Sequence, residues 1–250
     1  KQQYFCYIRM SKKTNTKAPP AKPIHPLVNE YVSACKANGF TDEAEIASMS
    51  AYLEKYQGEL RFVKKTITPA LSKILIRLFQ KASKLQRIVF HACYFQDPSF
   101  FTKLIADLNK HQVAQISLDY CPVQIDTINL FVSAPSIEML SLRGNTCLTS
   151  YNVPLFTESS YSPSLNKFYN LLSNSQLKML DLTGCNLSDD GASSIARILY
   201  FNTSLRCLNL SQNRIGDDGA VELASALSFY FLTDQEVEIH ERMMNEERKQ

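Results

Sequence analysis

The chain has 250 residues, of which 45% are hydrophobic and 20% are charged, with a formal net charge of +3. This composition suits a globular protein with a full core, and so small a charge gives no reason to expect a nucleic-acid partner. Seven glycines and no tryptophan argue against a glycine-rich cofactor fold, and no apolar run approaches the ~20 residues that a membrane-spanning helix needs.

Residues 1–26 form a basic, proline-rich arm. They contain six Lys or Arg residues and no Asp or Glu, and they end in KAPPAKPIHP. This composition has no core pattern and predicts an extended segment. Two interpretations remain open, a solvated linker or an arm that lies on an acidic surface such as tubulin, actin or RNA.

Residues 27–56 predict a helical N-terminal cap. Leu27–Asn38 carries its apolar side chains on one helical face and ends at Asn38-Gly39, a sequence that stops helices. Thr41–Tyr56 predicts a second helix. A pair of helices here would cover leucines that the first repeat of a solenoid otherwise exposes.

Residues 57–229 contain an internal repeat. The stretch LDLTGCNLSDDGA at 180–192 recurs 28 residues later as LNLSQNRIGDDGA at 208–220. Both fit a template that is apolar at positions 1, 4, 6 and 11 and has Asn or Cys at position 9. Six copies begin at residues 57, 85, 113, 137, 177 and 205, the first of them degenerate. Helical spacing follows the template, as at Ile195, Ile198 and Leu199.

The template LxxLxLxx(N/C)xL resembles the leucine-rich repeat, and its length and helical second half resemble the ribonuclease-inhibitor-like class. The resemblance covers about residues 57–229. It implies an α/β solenoid, a horseshoe segment of about six repeats with a parallel sheet on the concave side and helices on the convex side. It also implies a hydrogen-bonding ladder at position 9, formed by Cys93, Cys121, Asn145, Cys185 and Asn213.

One repeat is longer than the others. The spacing from Ile137 to Leu177 is 40 residues, which leaves about twelve extra residues that fit best as a loop at about 150–164. Loops on a rigid scaffold often carry function, so its aromatic residues Tyr151, Phe156 and Tyr161 are candidate partner contacts. A tolerated surface insertion is the alternative.

Residues 230–250 depart from the template. Continuing the 28-residue period places Glu236 and Glu238 at leucine positions, so the repeats stop before this segment. We interpret it as a charged helix that either caps the last repeat through Val237 and Met243 or reaches toward a partner.

The concave face is the candidate binding surface. Strand side chains alternate between two faces, so positions 5, 7 and 8 of each repeat face away from the leucines. Aromatic residues and arginine are enriched where interfaces concentrate binding energy, although a solvated polar face would show the same alternation. The predicted partner-binding residues are Arg61, His91, Asp119, Tyr120, Arg143, Asp181 and Asn209.

No catalytic, cofactor-binding or metal-binding set is predicted. The four histidines are dispersed, and no phosphate-binding GxxxxGK[ST] motif occurs. Cys93 and Cys121 occupy the same position of neighbouring repeats, where two buried thiols are favoured over a disulfide or half of a metal site. The seven scattered cysteines lack CxxC pairs and favour a reducing, cytoplasmic compartment.

The predicted function is a non-enzymatic scaffold for other proteins, with no small-molecule substrate and no membrane partner. Resemblance to the repeat class, which includes cytoskeletal and axonemal proteins, implies a subunit of a cytoskeletal or ciliary assembly based on tubulin or actin. The alternative is a regulator of an enzyme, such as a small-GTPase activator or a wrapping inhibitor. The arginine and acidic rim that activators of the GTPase Ran require have no match in this sequence.

Overall fold

The computed structural model describes residues 25–111, 113–146, 167–168, 170–172 and 175–227. The strands are β1 (Glu59–Val63), β2 (Thr66–Ile67), β3 (Arg87–His91), β4 (Tyr94–Phe95), β5 (Gln115–Asp119), β6 (Met139–Ser141), β7 (Met179–Asp181) and β8 (Cys207–Asn209). The helices are α1 (Pro26–Ala37), α2 (Glu43–Leu53), α3 (Pro69–Lys81), α4 (Ser99–His111), α5 (Ile125–Val132), α6 (Asp189–Phe201) and α7 (Asp217–Leu227).

Six of these strands form one parallel sheet in the order β1-β3-β5-β6-β7-β8, while β2 pairs with β4. The sheet register follows the repeat template, because position 4 of one repeat lies beside position 4 of the next. Leu60 pairs with Ile88, and Leu180 pairs with Leu208. The predicted α/β solenoid with six parallel strands is confirmed, including the degenerate first copy.

The core lies between the sheet and the helices. Positions 4 and 6 of the first five repeats are buried, from Leu60 and Phe62 to Leu180 and Leu182. In the N-terminal repeats this core is largely aromatic. The rings of Phe62 and Phe90 stack with their centroids 5.3 Å apart. Such a large buried apolar surface holds neighbouring repeats together, because no repeat can bury its leucines alone.

Position 9 forms the predicted ladder. The amide of Asn145 donates to the carbonyl oxygens of Leu118 and Leu142, at 2.7 and 2.8 Å. The Cys185 thiol donates to the Leu142 carbonyl at 3.1 Å, and burial raises the pKa of this thiol to about 11. Each ladder side chain therefore satisfies a backbone carbonyl of the preceding repeat, where the strand has ended.

Position 8 of every repeat has a left-handed backbone. The φ angles of these residues lie between +51° and +67°. This turn directs each position-8 N–H toward the next repeat, so that Tyr120 N donates to the Arg143 carbonyl at 2.6 Å. The residues are Lys64, Ala92, Tyr120, Gly144, Gly184 and Gln212. The turn therefore ends each strand while continuing the hydrogen bonds between repeats.

Two helices precede the first strand, as predicted. Helix α1 packs against α2 and α3, and Asp42 caps α2 by accepting the Glu45 N–H at 2.9 Å. Tyr52 closes the outer edge of β1, because its hydroxyl donates to the Glu59 carbonyl at 2.9 Å and accepts the Arg61 N–H at 3.1 Å. The first repeat is thus covered on its face and along its strand edge.

The third spacing, from residue 113 to residue 137, is only 24 residues because the helix of that repeat is short. Helix α5 has 8 residues, whereas α3, α4 and α6 each have 13. The predicted insertion at about 150–164 and the charged segment at 230–250 lie outside the described residues, as does almost all of the basic arm.

Candidate functional site

Five of the predicted residues come together in the middle of the sheet. His91, Asp119, Tyr120, Arg143 and Asp181 lie at the carboxyl ends of β3, β5, β6 and β7, which are consecutive strands. We call these five residues the central concave patch. The strand alternation that buries the leucines places them on the opposite face of the sheet.

Arg143 is held in place by Asp181. The Arg143 Nε donates to the Asp181 Oδ2 at 2.7 Å, while the arginine side chain stays 48% exposed. The hydrogen bond from Arg143 Nε to Asp181 raises the pKa of Arg143. The remaining N–H groups of the guanidinium make no other hydrogen bond within the described residues. A fixed guanidinium with unused donors suits a carboxylate or carbonyl on a partner.

Asp181 plays a different part from the one predicted. Only 3% of it is exposed, so its carboxylate supports Arg143 instead of touching a partner directly. Burial alone would raise the pKa of Asp181, but hydrogen bonds from Thr183 and Arg143 outweigh burial and hold it below its usual value. The buried carboxylate therefore stays ionised and keeps the guanidinium fixed.

Tyr120 is the exposed aromatic residue of the patch, with 54% of its surface accessible. Its ring meets the His91 ring edge to face at 5.3 Å. The ring also rests on Gly144 of the next repeat, where a Cβ atom would collide with it. Next to the ring, Asp119 accepts hydrogen bonds from the Ser141 hydroxyl at 2.6 Å and from the Arg143 N–H at 3.3 Å.

A cleft of about 350 Å³ adjoins the patch. Asn145 lies at its wall, and its Oδ1 is buried with no hydrogen-bond partner in the described part of the chain. The equivalent oxygen of Asn213 accepts the Leu187 N–H at 3.0 Å. Beside Asn145 the corresponding N–H, that of Val123, donates to the Cys121 carbonyl instead. The cleft is lined by Tyr120, Cys121, Pro122, Val123, Gln124, Gly144, Asn145 and Thr146.

Of the other two predicted contacts on the sheet, one adjoins the patch and one does not. Asn209 lies on β8 directly beside Asp181, and it accepts the Ser211 hydroxyl at 2.7 Å. Arg61 lies on β1 at the other side of the sheet, where it pairs with Glu59 at 2.9 Å. Tyr151, Phe156 and Tyr161 lie outside the described residues.

The described residues contain no group of three or more His, Cys, Asp or Glu side chains placed to hold a metal ion. Cys93 and Cys121 are both free and buried, and the Cys121 sulfur accepts the Cys93 N–H at 3.4 Å. Of the helices within the described ranges, none is long and apolar enough to span a bilayer.

Comparison with known families agrees with this geometry. The family model described as "Leucine Rich repeat" matches residues 173–196 and 201–224, which contain β7 with the first part of α6 and β8 with most of α7. The chain is a leucine-rich repeat protein. The four N-terminal repeats lie outside the matched stretches but continue the same sheet in the same register.

One similar solved structure is that of an internalin from Listeria monocytogenes, 16% identical with a TM-score of 0.26. The alignment covers 60% of this leucine-rich repeat chain and 48% of the internalin chain, so the chain spans about half the length of that protein. No curated protein sequence matches the chain.

The structure also identifies residues that the sequence analysis did not select. Gly144 supports the Tyr120 ring, and Pro122 and Gln124 line the cleft. The sequence does contain a signal for Gly144, because it occupies position 8 of its repeat, the same position that Tyr120 occupies in the preceding repeat. The cleft residues carried no comparable signal, because they lie in a connection whose path the leucine-rich repeat template does not fix.

Proposed function

We propose that this leucine-rich repeat protein is a scaffold that binds another protein through its central concave patch. One observation carries the proposal: Arg143, held by the buried Asp181, is presented half-exposed beside the exposed ring of Tyr120. Curved repeat proteins use the concave sheet as an extended binding surface. Arginine and tyrosine on a rigid support lose little conformational freedom on binding, which favours affinity.

The cleft gives the partner a place to insert a side chain. It opens beside Tyr120 and Gly144, so a partner on the patch would cover it. The unpaired Asn145 Oδ1 at its wall is an acceptor for a donor group, which a partner's backbone or side-chain N–H could supply after a small adjustment. A protein surface offers both the acidic group for Arg143 and the N–H donor for this cleft.

We further propose that the partner belongs to a cytoskeletal or ciliary assembly in the cytoplasm, based on tubulin or actin. This part of the proposal is supported by analogy with the repeat class and by the basic arm at residues 1–26, whose charge complements acidic filament surfaces. The alternative is regulation of an enzyme, and the same experiment separates the two.

The test is site-specific photo-crosslinking in cells that express the full chain. A photo-reactive amino acid at His91, the patch residue on β3, should give a recurrent protein adduct that mass spectrometry identifies. The same group at Lys73, which is exposed on α3 of the convex side, should not give that adduct. Arg143→Ala and Tyr120→Ala should each reduce the adduct at His91 by about tenfold or more, as expected for central interface residues.

Matched controls separate binding from folding. Lys73→Ala removes a charge and Tyr200→Ala removes a ring that is 44% exposed on α6, and neither should change the adduct. Loss of the adduct in all four variants, or its survival in all four, contradicts the patch as the binding surface. An adduct with a GTPase or another enzyme whose turnover the purified chain changes would replace the cytoskeletal proposal with the regulatory one.

A further inference from the structure

A narrow trough crosses the concave face of the sheet, from β3 to β7. Its floor is position 5 of the repeats, where Val89, Ser117 and Asp181 are at most 5% exposed although their side chains lie on the concave side. Positions 3 and 7 form the two rims, because the alternation of strand side chains places positions 3, 5 and 7 on the same face. The trough therefore runs across the strands, and we call it the concave trough.

The concave trough opens into a cavity where two serines lie side by side. Ser117 on β5 is the direct neighbour of Ser141 on β6, and a cavity of about 50 Å³ lies against both. Met139 and Met179 pair with each other at position 3 of the next two repeats and line the cavity. The Ser141 hydroxyl donates to the Asp119 Oδ1 at 2.6 Å, toward the opposite rim. The methionine side of the cavity is therefore apolar.

This cavity suits a small apolar side chain. Because one water molecule takes up about 30 Å³ in the liquid, a cavity of about 50 Å³ has room for the side chain of alanine or valine but not for an aromatic ring. Methionine side chains are flexible and polarisable, so they adapt to small differences in the group that they contact.

Positive charge is in excess beside the cavity, toward β1. The Glu59 carboxylate is shared by two arginines, since it pairs with the Arg61 Nε at 2.9 Å and with the Arg87 Nη1 at 3.5 Å. The two arginine side chains are 49% and 43% exposed, and Arg87 also lines the cavity. Lys64, exposed at the end of β1, adds a further positive charge. One carboxylate cannot neutralise these groups, so a carboxylate of a partner fits here.

The distance between this charge and the cavity fits an extended peptide. Arg87 and Ser117 lie on adjacent strands, two residues apart in register, so their Cα atoms are about 8 Å apart. Two residues of an extended peptide span about 7 Å, and side chains two positions apart point to the same side. The same line, continued by one strand and two residues, reaches Arg143. One extended segment can therefore contact the arginine pair, the cavity and the central concave patch.

We propose that the concave trough binds an extended peptide segment of the partner protein, in which an acidic residue lies two positions from an alanine or a valine. The carboxylate pairs with Arg61 and Arg87, and the small apolar side chain enters the cavity beside Ser117. The chain then continues to Arg143. This inference rests on the proposed function, because the peptide belongs to the partner that binds the central concave patch.

Selection of random peptides displayed on phage against the full chain tests this chemistry. Enriched peptides should carry Asp or Glu two positions from Ala or Val. Arg87→Glu should change the preferred acidic residue to Lys or Arg. Ser117→Val should change the preferred Ala or Val to Gly, because the introduced side chain fills the cavity, and the sheet accommodates it since Val89 occupies this position one repeat earlier.

Affinity gives a second measurement. A labelled peptide selected on the unmodified chain should bind each of the two variants about tenfold more weakly or worse in fluorescence polarisation, since like charges or a filled cavity oppose it. Lys73→Glu and Ala106→Val are the matched controls, because they reverse a charge and enlarge a side chain at exposed positions of α3 and α4. Both controls should leave the enriched sequences and the affinity unchanged.

Three results would overturn the proposal. The first is a lack of enrichment over the unselected library, and the second is enrichment of peptides whose preferences stay the same in Arg87→Glu and Ser117→Val. The third is a photo-crosslinked adduct at His91 that depends on Arg143 but survives in both variants. That result would leave the proposed function standing without the peptide, whereas an adduct lost in both variants and kept in both controls supports the peptide.

Discussion

The two ends of the solenoid differ in how the outermost repeat is covered. The first repeat is sealed by α1 and α2, and a single tyrosine hydroxyl, that of Tyr52, satisfies the outer edge of β1. Among the residues that the structure describes, nothing covers the last repeat in this way, and its leucines are partly exposed. The difference shows that repeat sequence alone does not determine burial. Leu180 and Leu208 occupy the same template position, yet only Leu180 is fully buried, because it has neighbours on both sides.

Substitutions of apolar residues should give the largest difference in the free energy of unfolding between the two regions. Phe90→Ala removes a fully buried ring that contacts Phe62, Phe95 and Phe100, and should lower the free energy of unfolding by about 3–5 kcal/mol. Val221→Ala, at the open end, should change it by less than about 0.5 kcal/mol. Urea denaturation followed by circular dichroism measures both. Equal losses would mean that the last helix is buried in solution.

The next largest effect on the free energy of unfolding concerns the hydrogen-bonding ladder at position 9. Asn145→Ala leaves the buried Leu118 carbonyl without its side-chain donor and removes one of the donors to the Leu142 carbonyl, which keeps the Cys185 thiol, and should cost about 1–3 kcal/mol. Asn145→Cys keeps a donor of the kind that Cys185 supplies one repeat later, and should cost measurably less. The same denaturation experiment ranks the two variants. The ladder argument fails if the cysteine variant is the less stable one.

Two aspartates at the same repeat position should differ, by a smaller amount, in what they contribute to stability. The Asp189 Oδ1 accepts the Gly216 and Gly219 N–H groups of the next repeat, at 2.6 and 3.1 Å. Asp189→Ala should therefore cost about 1–2 kcal/mol. Asp217 accepts no hydrogen bond within the described ranges, so Asp217→Ala should cost only a few tenths of a kcal/mol through the helix dipole. Thermal unfolding of the two variants gives the comparison.

The smallest effect is a pH dependence within the central concave patch. Hydrogen bonds hold the pKa of Asp181 below its unfolded value, despite its burial. The stability that this carboxylate adds is present above the unfolded pKa of ~3.9 and is lost as pH falls through the lower folded pKa. Asp181→Asn should remove that part of the acid dependence. Unfolding midpoints recorded between neutral pH and about pH 3 test it, with Asp126→Asn on the convex side as control.

The sequence was sufficient to predict most of the fold. The template fixed the register from Leu60 to Leu208, because one apolar face per strand allows only one alternation. It also predicted the ladder and the concave position of Arg143. The contact between Arg143 and Asp181 was not predictable, since the two residues are 38 positions apart across the irregular spacing. The Asp181 carboxylate combines that contact with hydrogen bonds from Thr183 of its own repeat.

The closing role of Tyr52 carried no signal in the sequence. The helical pattern of residues 41–56 placed apolar side chains toward the first repeat, and a tyrosine there fits a core position equally well. Its hydroxyl reaches the edge of β1 only because α2 ends beside that strand, which is a matter of tertiary geometry. The unpaired Asn145 oxygen was hidden for the same reason, since it depends on the path of the chain through Cys121–Val123.

The contact between the Tyr120 ring and Gly144 limits how this surface can change when repeats are gained or lost. The orientation of the ring is encoded in two repeats at once, one that supplies the aromatic side chain and one that leaves room for it. Exchanging, deleting or duplicating a single repeat would part the ring from its glycine, so the recognition surface would be inherited only as a pair of adjacent units.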